Sequence, residues 1–328
     1  MSRERLEQLD KEWRKNPVGV VAEVRALLKP KMLDRREIPY ALGIAGSAFR
    51  QQLKFSKAKS HILKGIEIAR RNKDPHEEGR LRQRLSVVWS QLSEYKEAFR
   101  ENERAVLAHL FCPLSCVGRC LVDRGFLFRS IEDFDASRKS YETALERLSG
   151  DESEHRFSSF QGLSELAMQR GDLTEALRLS DLAKSYETFP EAIARLLWSD
   201  GLILARLGEL SASEKKISEA LEILREVAQS NSGDWGSVPA IDAALASIDL
   251  CKVYLNQAKS HEAHILAISM VKFVGPIARL APVAAAAIQE LALIAKRGEV
   301  LTSALILKVE AEVKKAARSL AGQASRKG

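Results

Sequence analysis

The segment HLFCPLSCVGRC places His109, Cys112, Cys116 and Cys120 at three- and four-residue steps. On one continuous helix the three sulfurs would line a single face, as a soft metal ion or a redox pair would need. Two features oppose that chemistry. Zinc knuckles use a tighter Cys-x-x-Cys spacing, and Pro113 and Gly118 mark a bend between helices. The reading adopted is a set of small buried hydrophobes, with a metal or redox role for Cys112, Cys116 and Cys120 as the alternative. His261 and His264 in SHEAH could share a metal on a helix, but no third ligand accompanies them. Solvated helix histidines are the simpler account. No His-Glu-x-x-His run and no Gly-rich loop after a strand occurs. Ser, Lys and Glu are scattered as in any charged helical chain. No catalytic residue is nominated, no cofactor or metal is expected, and the chain reads as a non-enzyme.

What such a chain positions is a surface, and the elements beneath it are written in a repeat. The stretch AMQRGDLTEALRLSDLAKS (167–185) reads as the end of one helix, a turn and the start of another. Its corner recurs as GELSAS (208–213) and GEVLTS (298–303). Aligning apolar spacing puts Ala58, Ala98, Ser137, Ala176, Ser213, Ala263 and Ser303 in register, at steps of 40, 39, 39, 37, 50 and 40 residues. Seven residues on, and so on the same helical face, stand Gly65, Ala105, Ala144, Ala183 and Ala220, then Met270 and Glu310. Twelve residues before each anchor come Gly46, Ser86, Gly125, Ser164, Gly201 and Cys251, with Leu291 breaking the rule. Three residues further stand Phe49, Trp89, Phe128, Ala167, Leu204, Tyr254 and Ile294, mostly large. Small against large at helical spacing predicts knobs and holes between two antiparallel helices.

The pattern resembles the tetratricopeptide repeat family, most clearly in LVDRGFLFRSIEDFDASRKSYETAL (121–145) and SDGLILARLGELSASEKKISEAL (199–221). The resemblance covers residues 39–320, about seven helix pairs. A half-copy in PVGVVAEVRALL (17–28) makes residues 1–38 an N-terminal helical cap ending in a basic linker. The steps are longer than the family's usual repeat, as in bacterial regulatory arrays, and the closing proline is mostly missing. The resemblance implies an all-α helical-hairpin solenoid, a right-handed superhelix in which each pair buries the apolar face that its neighbour leaves open. A loop insertion is expected near 228–240, where AQSNSGDWGSVPA carries Trp235 as a local anchor or a partner contact. Residues 321–328 are expected to form a disordered tail.

In the family the first helix of each pair lines a concave groove. Carried over residue by residue, the early pairs contribute Tyr40, Arg50, Gln51, Arg80, Gln83, Arg84, Gln91, Arg119 and Arg129. The later ones contribute Gln161, Arg195, Trp198 and Arg206. Arginine's fork matches carboxylates and phosphates, and glutamine can bond extended peptide backbone. The lysine and asparagine clamp of chaperone-binding arrays is not reproduced, because Gly43 and Ser47 stand in two of its places. The resemblance therefore implies a scaffold that holds an acidic or extended peptide segment of a partner protein in an Arg-rich groove. A second reading is a regulator that senses a small peptide or nucleotide; nucleic-acid binding is a third.

Bulk composition fits that picture. Apolar residues make up 45% and charged residues 29% of 328 residues, enough for a continuous core and a charged surface. The net charge of +7 is unevenly spread, with a balance of +10 over residues 1–100, −10 over 101–250 and +7 over 251–328. Basic ends and an acidic middle speak for an acidic partner, or for attraction between copies that permits a homodimer, and weaken the nucleic-acid reading. The most hydrophobic stretch, 277–296, is interrupted by Arg279, Pro282, Gln289 and Glu290, so no membrane span is expected. Four cysteines make no disulfide framework, and a cytoplasmic setting is expected.

Overall fold

The structure is a computed structural model that describes residues 2–29, 32–186, 189–230, 237–278 and 282–326. Among the described residues every regular element is helical. The chain divides into two compact units, one of residues 1–162 and 321–328 and one of residues 163–320. The first holds α1 (Ser2–Glu12), α2 (Pro17–Leu27), α3 (Ile38–Gln51), α4 (Phe55–Arg71), α5 (Pro75–Gln91), α6 (Tyr95–Ala108), α7 (Leu114–Ser130) and α8 (Phe134–Arg147), and α9 (Ser153–Arg170) begins in it. The second holds the rest of α9, then α10 (Leu173–Lys184), α11 (Pro190–Arg206), α12 (Leu210–Ser230), α13 (Ser237–Asn256) and α14 (Ser260–Ser269). A 3-10 turn (Met270–Phe273), α15 (Val274–Ala278), α16 (Pro282–Lys296) and α17 (Ser303–Arg326) as far as Leu320 complete it. Each unit is a helical-hairpin solenoid with its own apolar core.

The corners repeat as the spacing predicts, and their backbone says why. Five residues before each of the seven anchors the chain enters the left-handed region, at Leu53, Ser93, Glu132, Gly171, Gly208, Ala258 and Gly298. The next backbone N–H donates back to the carbonyl of Phe49, Trp89, Phe128, Ala167, Leu204, Tyr254 or Ile294, at 2.8–3.2 Å. A left-handed residue followed by this long-range return bond is a Schellman turn, which satisfies carbonyls that the helix end leaves open. Asp133 and Asp172 then cap the following helices by accepting from the N–H of Ala136 and Glu175.

The small residues twelve positions before each anchor have a physical role too. The Oγ of Ser86 donates to the carbonyl of Ala98 at 2.8 Å, and Ser164 to that of Ala176 at 2.7 Å. Where the serine sits on the other helix the bond reverses, from Ser137 to Gly125 at 2.8 Å and from Ser213 to Gly201 at 2.7 Å. Either way one hydroxyl pins the two helices of a pair at one level. At Gly46 and Gly201 no side chain fits: a Cβ would lie 2.4 Å from Ile62 and from Ile217. The last pair departs, with Leu291 wholly buried and Ser303 exposed.

Several expectations change at this level. Gly118 is not at a bend but inside α7, against Leu148; the bend falls at residues 109–113, with Pro113 preceding the first turn of α7. Within the expected loop at 228–240, α12 continues to Ser230 and α13 starts at Ser237, and residues 231–236 lie outside the described residues. Trp235 lies outside the described residues. Helix α17 runs to Arg326, into the stretch expected as a disordered tail. No helix among the described residues is long and apolar enough to cross a membrane.

Candidate functional site

In unit 1 the first helices of successive pairs bring charged side chains together. Helix α1 is amphipathic: Leu6 and Leu9, with Trp13 in the turn that follows, are buried in the core, and Asp10 emerges beside them. Arg84 on α5 donates to both carboxylate oxygens of Asp10, at 2.7 and 2.9 Å. To do so it must pass α3, and Gly43 and Ser47 make that possible. A Cβ at Gly43 would sit 2.8 Å from Leu81 and 3.5 Å from Arg84, while the Ser47 hydroxyl accepts from Arg84 at 3.1 Å. Arg80 adds a bond to Asp10 at 3.2 Å, and the Tyr40 hydroxyl donates to it at 3.1 Å. Burial pushes the Asp10 carboxyl up, but Arg84 and Arg80 outweigh it and hold the group below its ordinary range. The Tyr40 hydroxyl is pushed up to about 12, first by burial and then by Asp10.

Two aromatic rings are flanked by guanidinium groups. Arg3 and Arg80 lie 4.3 and 4.6 Å from the Tyr40 ring centre. Arg14 and Arg50 lie 4.7 and 5.2 Å from that of Trp13. Arg14 also pairs with Glu154, which ties the turn after α1 to the start of α9. Beyond Trp13, Gln83 donates to Oδ2 of Asp123 on α7 at 2.8 Å. Burial pushes the Asp123 carboxyl up to about 6, and Gln83, His155 and Arg50 offset part of it. The Arg50 guanidinium is drawn down to about 10 by burial, then by Arg14 and Arg84. Among the described residues it makes no hydrogen bond and no ion pair.

The structure thus gathers Tyr40, Arg50, Arg80, Gln83 and Arg84, but it does not leave them as an open row of cations. Tyr40 is only 3% exposed, and Arg80 and Arg84 are held by Asp10. Gln51 and Gln161 are half-buried, and Gln91 is exposed. Arg119 lies 3.7 Å from Glu152 and donates to the Cys116 sulfur, while Arg129 lies over the Phe126 ring. The remaining residues belong to unit 2 and have internal partners. Arg195 is paired with Asp242 at 2.7 Å, the Trp198 Nε1 donates to Asp249 at 3.0 Å, and Arg206 reaches the Met168 carbonyl at 3.5 Å. The repeat offsets miss Asp10, Trp13, Arg14, Asp123 and Glu154. For Asp123 the signal was present, because it precedes Ser137 by the fourteen residues that separate Arg84 from Ala98.

Elsewhere the sulfur and histidine clusters take ordinary structural places. Cys116 and Cys120 are buried and Cys112 half-buried. Burial pushes the thiols of Cys112 and Cys120 up, away from the thiolate that a ligand or nucleophile needs. No group of three or more His, Cys, Asp or Glu arranged to hold a metal occurs among the described residues. His264 spans the Ser260 and Glu299 carbonyls at 2.6 and 2.8 Å, and His261 is exposed.

Known structures share this arrangement of helices. The Rap conjugation gene regulator of the plasmid pLS20, in complex with the Phr* peptide, matches with a TM-score of 0.57 over 86% of this chain and 74% of its own, at 15% identity. A Rap protein complexed with Competence and Sporulation Factor matches with a TM-score of 0.56 over 92% and 82%, at 11% identity. The Cut9 assembly with Hcn1 matches with a TM-score of 0.57 over 92% of this chain and 53% of that one, at 12% identity. The fold is of the tetratricopeptide type. At these identities the likeness concerns the helical repeat alone. No family model matches the sequence. No curated protein matches it.

Proposed function

We propose that the chain is a protein–protein interaction scaffold whose unit-1 groove holds an acidic or extended peptide segment of a partner. The observation that carries this reading is Arg50: a half-buried cation among polar groups, without an acceptor of its own among the described residues. Taking a charge out of water without a partner is costly, so an arrangement that keeps one is suited to a ligand that supplies the anion. The arginine set as a whole is not the carrier, since Asp10 satisfies Arg80 and Arg84. Similar folds solved with peptides, among them NprR with its cognate peptide NprX and the Rap regulator with Phr*, support the class of ligand.

A test uses fluorescein-labelled dodecapeptides, half of them acidic and half neutral, titrated into the purified chain and followed by anisotropy. The acidic set should bind better, and Arg50→Glu with Arg129→Glu should abolish that preference while far-UV circular dichroism stays unchanged. Preference that survives the double reversal would overturn the reading. Arg84 is unsuitable for this purpose, because its reversal strikes the Asp10 pair inside the fold.

The Arg14–Glu154 bridge favours the second reading, a regulator of a short peptide signal, in which the groove takes a ligand of a few residues. A midpoint of thermal unfolding that climbs with the concentration of a short peptide, and not of a long one, separates the two.

A further inference from the structure

The corners that lead from one helix pair of unit 1 to the next lie along one edge of it, and contacts join three of them in succession. The first links α2 to α3, and in it the Arg35 carbonyl accepts from Nδ2 of Asn72, in the α4–α5 corner, at 3.2 Å. The second meets the third through His76 at the start of α5 and His109 after α6, whose ring centres are 5.7 Å apart. The His109 ring packs so closely on Gly79 that a Cβ there would lie 2.5 Å from it. With that ring drawn inward, the apolar residues around it are left outside. Leu107, Leu110 and Leu114 are each more than half exposed, and Phe111 is 95% exposed.

The two corners beside this apolar tip carry cations. Lys29, Arg35 and Arg36 in the first and Lys73 in the second are exposed, and among the described residues none of their side chains makes a hydrogen bond or an ion pair. Lys73 stands on the turn itself, at φ 54°. The acids next to them are turned to the backbone. Asp34 accepts from the N–H of Arg36 at 2.8 Å, and Asp74 caps α5 by accepting from that of Glu77 at 3.0 Å. Met32, more than half exposed, adds an apolar side chain between Lys29 and Arg35. The following corner, before α9, is acidic with an exposed Asp151, so the basic and apolar stretch ends there.

Unpaired cations beside a protruding apolar tip fit an occupant that is anionic at its surface and apolar beneath. A nucleic acid would answer the cations and leave Phe111 in water. A protein partner would need a matching cavity, and the side chains of one tip fall short of the about 800 Å² that each side of a stable protein interface buries. A bilayer takes up a protruding side chain of any shape, and binding to it grows with apolar area and with each Lys or Arg near anionic headgroups. We propose that this edge docks unit 1 on an anionic lipid surface, with Phe111 and its leucine neighbours inserted at the headgroup boundary and Lys29, Arg35, Arg36 and Lys73 among the lipid phosphates. The attachment is peripheral, and it does not rest on the peptide-binding reading.

The test sediments the full chain with vesicles of phosphatidylcholine alone, or with one lipid in three replaced by phosphatidylserine, at low and at high salt. At low salt the anionic vesicles should carry down at least tenfold more protein than the neutral ones, and high salt should remove most of that difference. Phe111→Ser should lower binding to the anionic vesicles several-fold. Arg35→Gln with Arg36→Gln and Lys73→Gln should abolish the preference for them. All four positions are exposed, and circular dichroism checks that the variants fold. Equal sedimentation with both kinds of vesicle, or with neither, overturns the proposal. Undiminished binding by Phe111→Ser shows that the tip does not insert, and overturns it too. A dimer that Phe111→Ser turns into a monomer, with no vesicle binding, assigns the face to a second copy of the chain instead.

Discussion

Arg84 grips Asp10 through one nitrogen at 2.7 and 2.9 Å, across 74 residues of sequence and over the back of α3. Both side chains are mostly shielded, with exposures of 20% and 17%. The pair therefore falls between the surface limit, where ion pairs contribute little, and the buried limit, where removing one partner costs several kcal/mol. Asp10→Asn keeps the shape and removes the charge, leaving Arg80 and Arg84 facing a neutral amide. A loss of about 1–3 kcal/mol in urea unfolding is expected. A change below a few tenths would mean that Asp10 does not anchor α1.

The seven left-handed corners make a sharper test, since four are filled by residues with a Cβ. Glu132 adopts φ of 63° on an exposed turn, where a Cβ crowds the backbone. Glu132→Gly relieves that strain and adds unfolded-state entropy, for a net gain of about 0.5–1 kcal/mol. Gly171→Ala, at φ 84°, should lose about 1 kcal/mol with nothing nearby for the new methyl to strike. Calorimetric midpoints moving in the same direction for both variants would contradict the turn.

Asp123 makes the fold less stable at neutral pH than an uncharged residue would. Its carboxyl titrates near 6 in the folded chain against an ordinary value near 4, so folding binds a proton in that window. Stability from this group is therefore greatest below about pH 4, declines as pH rises towards 6, and stays reduced above. The charged groups facing it are Arg50 on α3, and Glu154 and His155 on α9, with the Gln83 amide on α5. Asp123→Asn should stabilise the protein at pH 7.5 by about 1–2 kcal/mol, after discounting for the water that reaches this half-buried group, and by progressively less towards pH 4. A constant difference across that range would show that the carboxyl is not perturbed.

His109 acts in the opposite sense. It is 1% exposed, its ring stands edge-on to His76, and Nδ1 has no partner. Burial, then the charges of His76, Arg119 and Arg80, lowers its titration to about 4. The unfolded chain takes up this proton first, so the contribution is complete above about pH 6.5 and is lost as pH falls towards 4. His109→Phe should lose less stability than the unaltered chain between pH 7 and pH 4.5. Parallel pH profiles for the two proteins would refute the assignment.

How far the sequence could be read depends on what each feature leaves behind in composition. A hydroxyl pinning two helices and a glycine against an isoleucine require small residues at fixed intervals, so the helix pairs and the corners between them were legible, although Leu53 and Glu132 fill two of the turns themselves. The arginines at the carried-over offsets were legible as types, because those offsets belong to the repeat. Their partners were not. Asp10 lies in α1, which precedes the first full pair and has no register to be aligned with, and nothing in Gly43 or Ser47 announces that a side chain from α5 crosses over them. Gly118 misled for a related reason: within α7 it makes room for Leu148, and a packing glycine reads the same as a turning one.

The Arg14–Glu154 bridge spans 140 residues, in an architecture whose other pairings mostly join neighbours. Helix α1 leaves the ribosome roughly seven to thirty seconds before α9 at ordinary elongation rates. During that interval Trp13 and Arg14 have their near partners but not their far one. The early hairpins can therefore close one upon another as they are made, while the clasp between the turn after α1 and α9 comes late, and a pause in translation before residue 154 would hold the nascent chain in that unclasped form.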